Sequence, residues 1–283
     1  MTTGHQDQSA APRAAIPLRA RSDVPFLAGL GLIGGLYVVL IVAMVWADAA
    51  YTSPAGILAA LRDPNIRYAI KLSLIACSLS ALLSLWVAVP LGYLMSRCRF
   101  PGKSLIDAVL DIPIVLPPLV IGLSLLILFR TGLGRALQEV ISITYAVPGV
   151  ILAQFSVAAA FAVRTLRVTF DQINPRSEQV ALTLGCSRSQ AFWRVTIPEA
   201  RRGILTAATL AWARSLGEFG PILVFAGATR MRTEVLATTV FLELSIGRLE
   251  GAVAVSLLMI AMAVIVLLLV RFCGSETTFW RSP

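Results

Sequence analysis

Arg214 and Glu218 stand out in this sequence because they carry charge inside an otherwise apolar stretch. The stretch reads WARSLGEFGPILVFAG, from Trp212 to Gly227. An arginine and a glutamate four residues apart on a helix share one face and can form an ion pair. A single charge at the centre of a bilayer costs about 2.5–3.5 kcal/mol even on a lenient scale. The pattern predicts either a helix that faces a water-filled cavity or a partner subunit, or a structural ion pair between helices.

Other chemistry-bearing residues are sparse, and their spacing excludes several classes of enzyme. His5 is the only histidine, which excludes a Ser-His-Asp triad and an H-E-x-x-H zinc helix from the apolar body. The sequence contains no G-x-x-x-x-G-K-[ST] phosphate-binding loop. None of the cysteines forms a C-x-x-C pair, so packing is favoured over a disulfide frame or a metal site. They are Cys77, Cys98, Cys186 and Cys273. We therefore expect no catalytic residue, no metal site and no cofactor bound by this chain.

The composition predicts an all-α integral membrane protein. Of the 283 residues, 57% are hydrophobic and 14% are charged, whereas a soluble domain carries about 25% charged residues. A chain this apolar must satisfy its backbone hydrogen bonds within helices or a closed barrel, and its apolar runs do not alternate as barrel strands do. The net charge of +9 is spread over the segments between apolar runs, so we expect it to orient the chain in a membrane and not to bind nucleic acid.

Six apolar segments are predicted to be transmembrane helices, each long enough for about 30 Å of hydrocarbon. The first is followed by Ala47-Asp48-Ala49, which resembles a signal-peptide cleavage site, but its apolar run is longer than a signal core. We therefore favour an uncleaved helix. The predicted spans are Val24–Ala47, Leu72–Ser96, Asp111–Phe129, one within Val140–Val163, Gly203–Gly227 and Gly251–Val270.

The basic residues predict the orientation of these spans. With the N-terminus in the cytoplasm, the inner segments carry fifteen Lys and Arg residues and the outer segments carry eight, as the positive-inside rule requires. Both termini are then cytoplasmic. The predicted organisation is a flexible cytoplasmic tail over 1–23, a membrane domain over 24–271 with a cytoplasmic insert at about 174–200, and a short cytoplasmic tail over 272–283.

The insert, EQVALTLGCSRSQAFWRVTIPEARR, is charged and helical although it lies between apolar spans. Asn174 and Pro175 suit the cap and first turn of a helix. Gly185 suits the left-handed residue that follows a helix end. Ser187 and Gln190 have the spacing of a capping box, which predicts a second helix.

Pro198 is predicted to end the second helix of the insert shortly before the fifth span. Both helices are too short to be stable alone in water, so each must bury its apolar face against something. The protein's own loops or the lipid interface would suffice. A groove on a separate soluble partner would serve equally well. The residue pattern leaves these alternatives open.

The insert resembles the cytoplasmic motif of ATP-binding-cassette (ABC) importer permeases, which reads E-A-A, three residues, Gly, nine residues, Ile-x-Leu-Pro. Here Gln and Val replace the first two motif letters, and a glutamate precedes them. The resemblance implies that the insert is the coupling helix, which transmits closure of the nucleotide-binding subunits to the membrane helices. It assigns the contacts with the ATPase subunit to Glu178, Gln179, Val180, Ala181, Gly185, Val195, Ile197 and Pro198.

The third predicted span, LDIPIVLPPLVIGLSLLILF, contains three prolines. Each proline removes an intrahelical hydrogen bond, which predicts either a simple kink or a broken helix that lines a pathway. The longer stretch PLGYLMSRCRFPGKSLIDAVLDIPIVLPPLVIGLSLLILF and the stretch ARSLGEFG are similar to permeases of the molybdate, tungstate and sulfate importers, especially the molybdate type. The resemblance covers the sequence closely from Leu72 to Gly227.

This resemblance implies a type I ABC importer permease architecture in the cell inner membrane. It implies two ATPase subunits that bind ATP and Mg, a second permease copy as a homodimer, and an extracytoplasmic solute-binding protein. The implied substrate is an oxyanion, molybdate first, with sulfate, tungstate or another solute as alternatives. A secondary transporter is disfavoured because only Arg214 and Glu218 could serve ion coupling. The residues implied at the pathway or gate are Pro117, Pro118, Arg214, Ser215, Gly217 and Glu218.

Overall fold

A computed structural model describes residues 24–275, and this part of the chain is helical without any strand. It contains thirteen α-helices and one π-helical turn within those residues. The predicted all-α class is therefore confirmed. The N-terminal tail predicted over 1–23, with His5, lies outside the described residues, as does the part of the predicted C-terminal tail from residue 276 onward.

The chain divides into two compact units, residues up to Ala47 and residues from Asp48 onward. Residues 24–47 of helix α1, Val24–Tyr51, are the described part of the first unit. It is apolar around its whole circumference and exposes its large side chains, as a helix in lipid would. The predicted first span is confirmed as one helix that continues for four residues beyond Ala47.

Two long helices form the centre of the second unit. After the short helix α2, Pro54–Arg62, helix α3 runs over Pro64–Arg97, and helix α7 over Val147–Gln172 packs along it. Small buried residues such as Ala88 and Ala158 allow the close approach. Both helices are longer than predicted. Helix α3 begins earlier because Asp63 caps it, accepting from the Asn65 N–H at 2.8 Å.

Helix α7 continues past the predicted limit Val163 to Gln172. Its last turns carry Arg164 and Arg167, which ended the apolar run used for the prediction. These arginines pair with carboxylates on the neighbouring helix α4, Lys103–Val115, so the charged turns have partners within the protein. The end of the apolar run therefore marks a change of surroundings and not the end of the helix.

The predicted third span Asp111–Phe129 is wrong as a single helix. Helix α4 ends at Val115, helix α5 runs over Pro118–Leu128, and their axes are bent by 113°. Leu116 is extended, with ψ 141°, as the residue before a proline tends to be. The break that the second alternative predicts is confirmed, and its place along a pathway stays a prediction. A short helix that was not predicted, α6 over Gly132–Val140, follows.

The segment after α7 consists of α8, Pro175–Thr183, α9, Arg188–Ala191, a π-helical turn over Phe192–Thr196, and α10, Ile197–Leu216. The prediction that Pro198 ends the second helix is wrong, because α9, the π-helical turn and α10 are continuous. Pro198 lies in the first turn of α10. The Ile197 N–H donates to the Phe192 carbonyl five residues back, and this wider turn accommodates the proline.

The predicted fifth span Gly203–Gly227 is also divided. Helix α10 ends at Leu216, and helix α11, Gly220–Phe225, follows a short break. A second helix that was not predicted, α12 over Leu236–Ser245, precedes α13, Leu249–Ser275. Helix α13 contains the whole predicted sixth span. Four described helices are long and apolar enough to cross a membrane, or five if α4 and α5 form one bent span: α1, α3, α7 and α13, with the α4–α5 pair.

Candidate functional site

The insert begins as its sequence predicts. Asn174 caps α8, and its side-chain oxygen accepts from the Arg176 N–H at 3.0 Å. Pro175 occupies the first turn, where a missing N–H leaves no hydrogen bond unmade. The predicted helix start is confirmed, and the cap fixes the direction in which α8 leaves the end of α7.

Gly185 forms the turn between the two helices of the insert. Its φ is +89°, a left-handed conformation that other residues rarely adopt. The Gly185 N–H donates to the Leu182 carbonyl at 3.0 Å, and the Cys186 N–H donates to the Ala181 carbonyl at 3.1 Å. These two bonds define a Schellman motif. The predicted role of Gly185 as a helix terminator is confirmed.

The second helix begins with the predicted capping box. The Ser187 N–H donates to Gln190 Oε1 at 2.9 Å, and the Gln190 N–H donates to Ser187 Oγ at 3.2 Å. Because both donors are satisfied locally, the start of α9 is fixed without help from another part of the chain. From there the helix continues into α10.

The motif residues fall into a buried group and an exposed group. Ala181 is buried, and Ile197 packs against the core between α3, α7 and α10. Val180 and Leu184 are exposed, and Leu184 retains 80% of its accessible surface. The insert therefore presents apolar side chains outward. Of the remaining motif residues, Gln179 and Pro198 are exposed and Val195 is half-buried.

Glu178 is the only charged residue among the motif residues, and its carboxylate faces the protein. The Tyr93 hydroxyl donates a hydrogen bond to Glu178 Oε1, and Arg97 Nε lies 3.7 Å from Glu178 Oε2. Arg97 also donates to the Ile173 carbonyl at 2.9 Å. Sequence reasoning missed Tyr93 and Arg97 in this role, because both lie 80 or more residues before Glu178 and no local spacing connects them.

A second cluster of ion pairs joins α4 to the end of α7. Arg164 Nη1 lies 3.0 Å from Asp111 Oδ2, and Arg167 Nη1 forms an ion pair with Asp107. Each arginine thus has a carboxylate on the neighbouring helix. The cluster fixes α4, the first helix of the bent α4–α5 pair, against α7, which leads into the insert.

The break after α10 holds the predicted Arg214–Glu218 pair. Arg214 Nη1 lies 2.6 Å from Glu218 Oε2, so the predicted pairing is confirmed. The Glu218 side chain is 1% exposed and that of Arg214 is 28% exposed. Gly217 ends the helix between them, and the Arg214 guanidinium carbon lies 5.6 Å from the centre of the Phe161 ring. The pair therefore spans the break and contacts α7.

Gln154 is a buried polar residue that connects three helices and that sequence reasoning missed. It is buried in α7, and its Nε2 donates to the Ser215 carbonyl at 3.2 Å. Ser80 Oγ donates to Gln154 Oε1 at 3.2 Å. These bonds tie the last turn of α10 to α7 and α3. The available signal was a single amide side chain in an otherwise apolar run.

The breaks after α4 and after α10 lie against each other. A Cβ atom at Gly122 of α5 would lie 2.7 Å from the Cα of Pro221 in α11. A Cβ atom at Gly220 would lie 3.1 Å from the Cβ of Pro118. The structure thus brings Pro118 to the same region as the segment that carries Gly217 and Glu218. Pro117 is exposed beside it.

Comparison with known proteins gives a family match over most of this architecture. Residues 88–275 match the family described as "binding-protein-dependent transport system inner membrane component". The molybdenum transport system permease protein ModB of Escherichia coli (strain K12) is 36% identical over 214 residues, which cover 74% of this chain and 93% of that protein. A probable molybdenum ABC transporter permease protein of Haloferax volcanii is 36% identical over 262 residues, 92% of this chain and 93% of that protein.

A sulfate transport system permease protein, CysT of Salmonella typhimurium, is 31% identical over 208 residues, 72% of this chain and 75% of that protein. Among solved structures, a bacterial ABC transporter involved in the import of the acidic polysaccharide alginate shares the fold. Its TM-score is 0.68 at 20% identity, over 90% of this chain and 96% of that chain. A second structure of an alginate ABC transporter, in complex with a pentasaccharide-bound periplasmic protein, has the same TM-score at 17% identity, over 91% of this chain and 99% of that chain.

Proposed function

The chain belongs to the family of binding-protein-dependent transport system inner membrane components, and from this premise we propose that it imports molybdate. It is the permease subunit of an ABC importer in the inner membrane. The molybdenum permeases of two organisms support molybdate as the substrate, each at 36% identity over more than nine tenths of its own length. Sulfate is the alternative, supported by a sulfate permease at 31% identity.

The insert is the proposed contact with the ATPase subunits, and the outward display of Val180 and Leu184 is the observation that carries this proposal. An amphipathic helix with exposed apolar residues fits a hydrophobic groove on a partner. Each transporter would contain two ATPase subunits that bind ATP and Mg and two copies of this permease. The excess of basic residues on the insert's side supports a cytoplasmic insert and cytoplasmic termini.

The proposed pathway passes the two adjoining helix breaks. Non-helical backbone at membrane depth is tolerated where it is buried in protein or lines a water-filled cavity. Arg214 keeps part of its surface accessible while Glu218 is buried, so the accessible charge at this place is positive and suits an oxyanion. Pro117 and Pro118 lie at the first break, Gly217 lies at the second, and Ser215 is in the last turn of α10. Closure of the ATPases would switch the helices between two arrangements that open to opposite sides.

The test is uptake by the assembled transporter in vesicles. The permease, its ATPase and its solute-binding protein would be reconstituted and supplied with labelled molybdate and internal ATP. We expect ATP-dependent uptake that excess tungstate reduces more strongly than excess sulfate. Stronger competition by sulfate would transfer the assignment to a sulfate importer. Uptake that persists without the ATPase would reject the ABC mechanism in favour of a secondary transporter.

A further inference from the structure

Glu178 is held by its own chain, and we infer that Glu178, Tyr93 and Arg97 form a clamp that positions the insert on the membrane helices. The clamp is these three side chains. The inference rests on the proposed function, because a coupling role for the insert is what makes its attachment important. It changes the role of Glu178, which the sequence resemblance had placed among the contacts with the ATPase.

The clamp joins three elements through one carboxylate and one guanidinium group. Tyr93 and Arg97 are four residues apart at the end of α3, so both reach the same side of that helix. The Tyr93 hydroxyl and Arg97 Nε approach different oxygens of Glu178 in the first turn of α8. Arg97 Nη2 donates to the Ile173 carbonyl at the end of α7. The turn from α7 into α8 is thereby fixed against α3.

The surroundings strengthen this connection. The Arg97 and Glu178 side chains are only 14% and 15% exposed, so water screens their charges less than those of a surface ion pair. The Tyr93 ring makes edge contacts with Phe170 at 5.8 Å and Phe192 at 4.8 Å between ring centres. Phe170 belongs to α7, and Phe192 begins the π-helical turn. Tyr93 therefore also connects α3 to the second helix of the insert.

Such a clamp has a consequence for coupling. Without it, a partner that moves the insert could bend the chain at the exposed turns around Asn174 and Gly185, and the motion would be lost there. With it, displacement of α8 must displace the ends of α3 and α7 as well. Loss of the clamp should therefore leave ATPase binding and ATP hydrolysis in place while transport per ATP falls.

The first test measures the clamp itself, independently of any partner. The thermal unfolding temperature of the full chain in detergent would be measured for Glu178→Gln, Arg97→Gln and the double variant. We expect clearly non-additive effects, because either single change breaks the same ion pair. Glu199→Gln makes the same chemical change at an exposed glutamate in the first turn of α10 and serves as the control. Additive effects would overturn the clamp.

The second test measures coupling in the reconstituted transporter. Co-purification of the ATPase, ATP hydrolysis and molybdate uptake would be compared for Glu178→Gln and Tyr93→Phe. We expect retained co-purification and hydrolysis with about a tenfold loss of uptake per ATP, the scale of one lost hydrogen bond to a charged group. The charge swap Glu178→Arg with Arg97→Glu should restore part of the ratio, and Glu199→Gln should leave it unchanged.

The outcomes separate this inference from the proposed function. If Glu178→Gln releases the ATPase and the charge swap does not restore it, Glu178 contacts the partner and the clamp is rejected. If the unmodified chain binds no ATPase while the unfolding temperatures still show non-additive effects of Glu178→Gln and Arg97→Gln, the proposed function fails. The clamp then remains as a structural connection only.

Discussion

Replacing Gly185 separates the backbone conformation that the turn between α8 and α9 requires from the charge that the proposed ATPase contact tolerates. The residue has φ +89°, and a Cβ atom there would meet no other atom within 4 Å in the described part of the chain. A larger side chain therefore fits sterically, and the intrinsic cost is that of a left-handed conformation. This cost is about 1–2 kcal/mol for an ordinary residue and smaller for Asn or Asp, which visit that region more readily.

These magnitudes set the expected order of the variants. Gly185→Ala should weaken the turn by about 1 kcal/mol, roughly a fivefold shift of the local equilibrium away from the Schellman motif. Gly185→Asn should retain most activity. Gly185→Asp has nearly the same shape and backbone tolerance as the Asn variant but adds a charge to the surface proposed to meet the ATPase. We expect Gly185→Asp to abolish transport while the protein still inserts in the membrane.

The assay is ATP-dependent molybdate uptake, normalised to the amount of permease in the membrane and to the amount of co-purified ATPase. The Asn and Asp variants form the matched pair, because they differ mainly in charge. Normal uptake by Gly185→Asp would refute a partner contact at this turn. Uptake by Gly185→Asn as low as that of Gly185→Ala would instead refute the argument from backbone conformation.

Three further changes probe other parts of the structure. Arg214→Gln leaves the Glu218 carboxylate buried and unpaired, so it should lower the free energy of unfolding by about 3 kcal/mol. Adding Glu218→Gln should recover part of that loss. A double variant less stable than Arg214→Gln would contradict the pairing. Gly122→Ala should cost about 1–3 kcal/mol, because its Cβ would lie 2.7 Å from the Cα of Pro221; an unchanged unfolding temperature would show that α5 and α11 are not held this closely. Burial raises the pKa of Glu234, in the segment between α11 and α12, above its ordinary value of 4.5. The free energy of unfolding linked to Glu234 is therefore fully present below pH 4.5 and is lost as the pH rises through the raised pKa. Glu234→Gln should raise the unfolding temperature at neutral pH and flatten its dependence on pH. An unchanged slope of unfolding temperature against pH would contradict this assignment.

The local signals in the sequence were reliable where the physics is local. The cap at Asn174, the turn at Gly185 and the capping box of Ser187 and Gln190 each depend on residues within a few positions of one another. The structure contains all of them. The pairing of Arg214 with Glu218 also needed only a spacing of four residues, although the helix ends between them.

Proline was harder to interpret because its effect depends on the hydrogen bonds around it. At Pro117 and Pro118 the backbone turns and a new helix begins, so one predicted span became two helices at 113°. At Pro198 the preceding π-helical turn accommodates the ring and the helix continues. Composition alone does not distinguish these outcomes. The contacts of Glu178 with Tyr93 and Arg97 depend on tertiary packing, which no single-sequence spacing encodes.

The continuity of α9, the π-helical turn and α10 has a mechanical consequence. Together they form one helical rod of 29 residues, Arg188 to Leu216, about 43 Å long at 1.5 Å per residue. A rod of that length that tilts by about 10° at one end moves the other by about 7 Å. A movement that the proposed ATPase contact imposes near Arg188 would thus reach the Leu216 end of the same helical segment. This segment therefore connects the exposed insert directly to the buried carboxylate of Glu218, which lies two residues beyond its end.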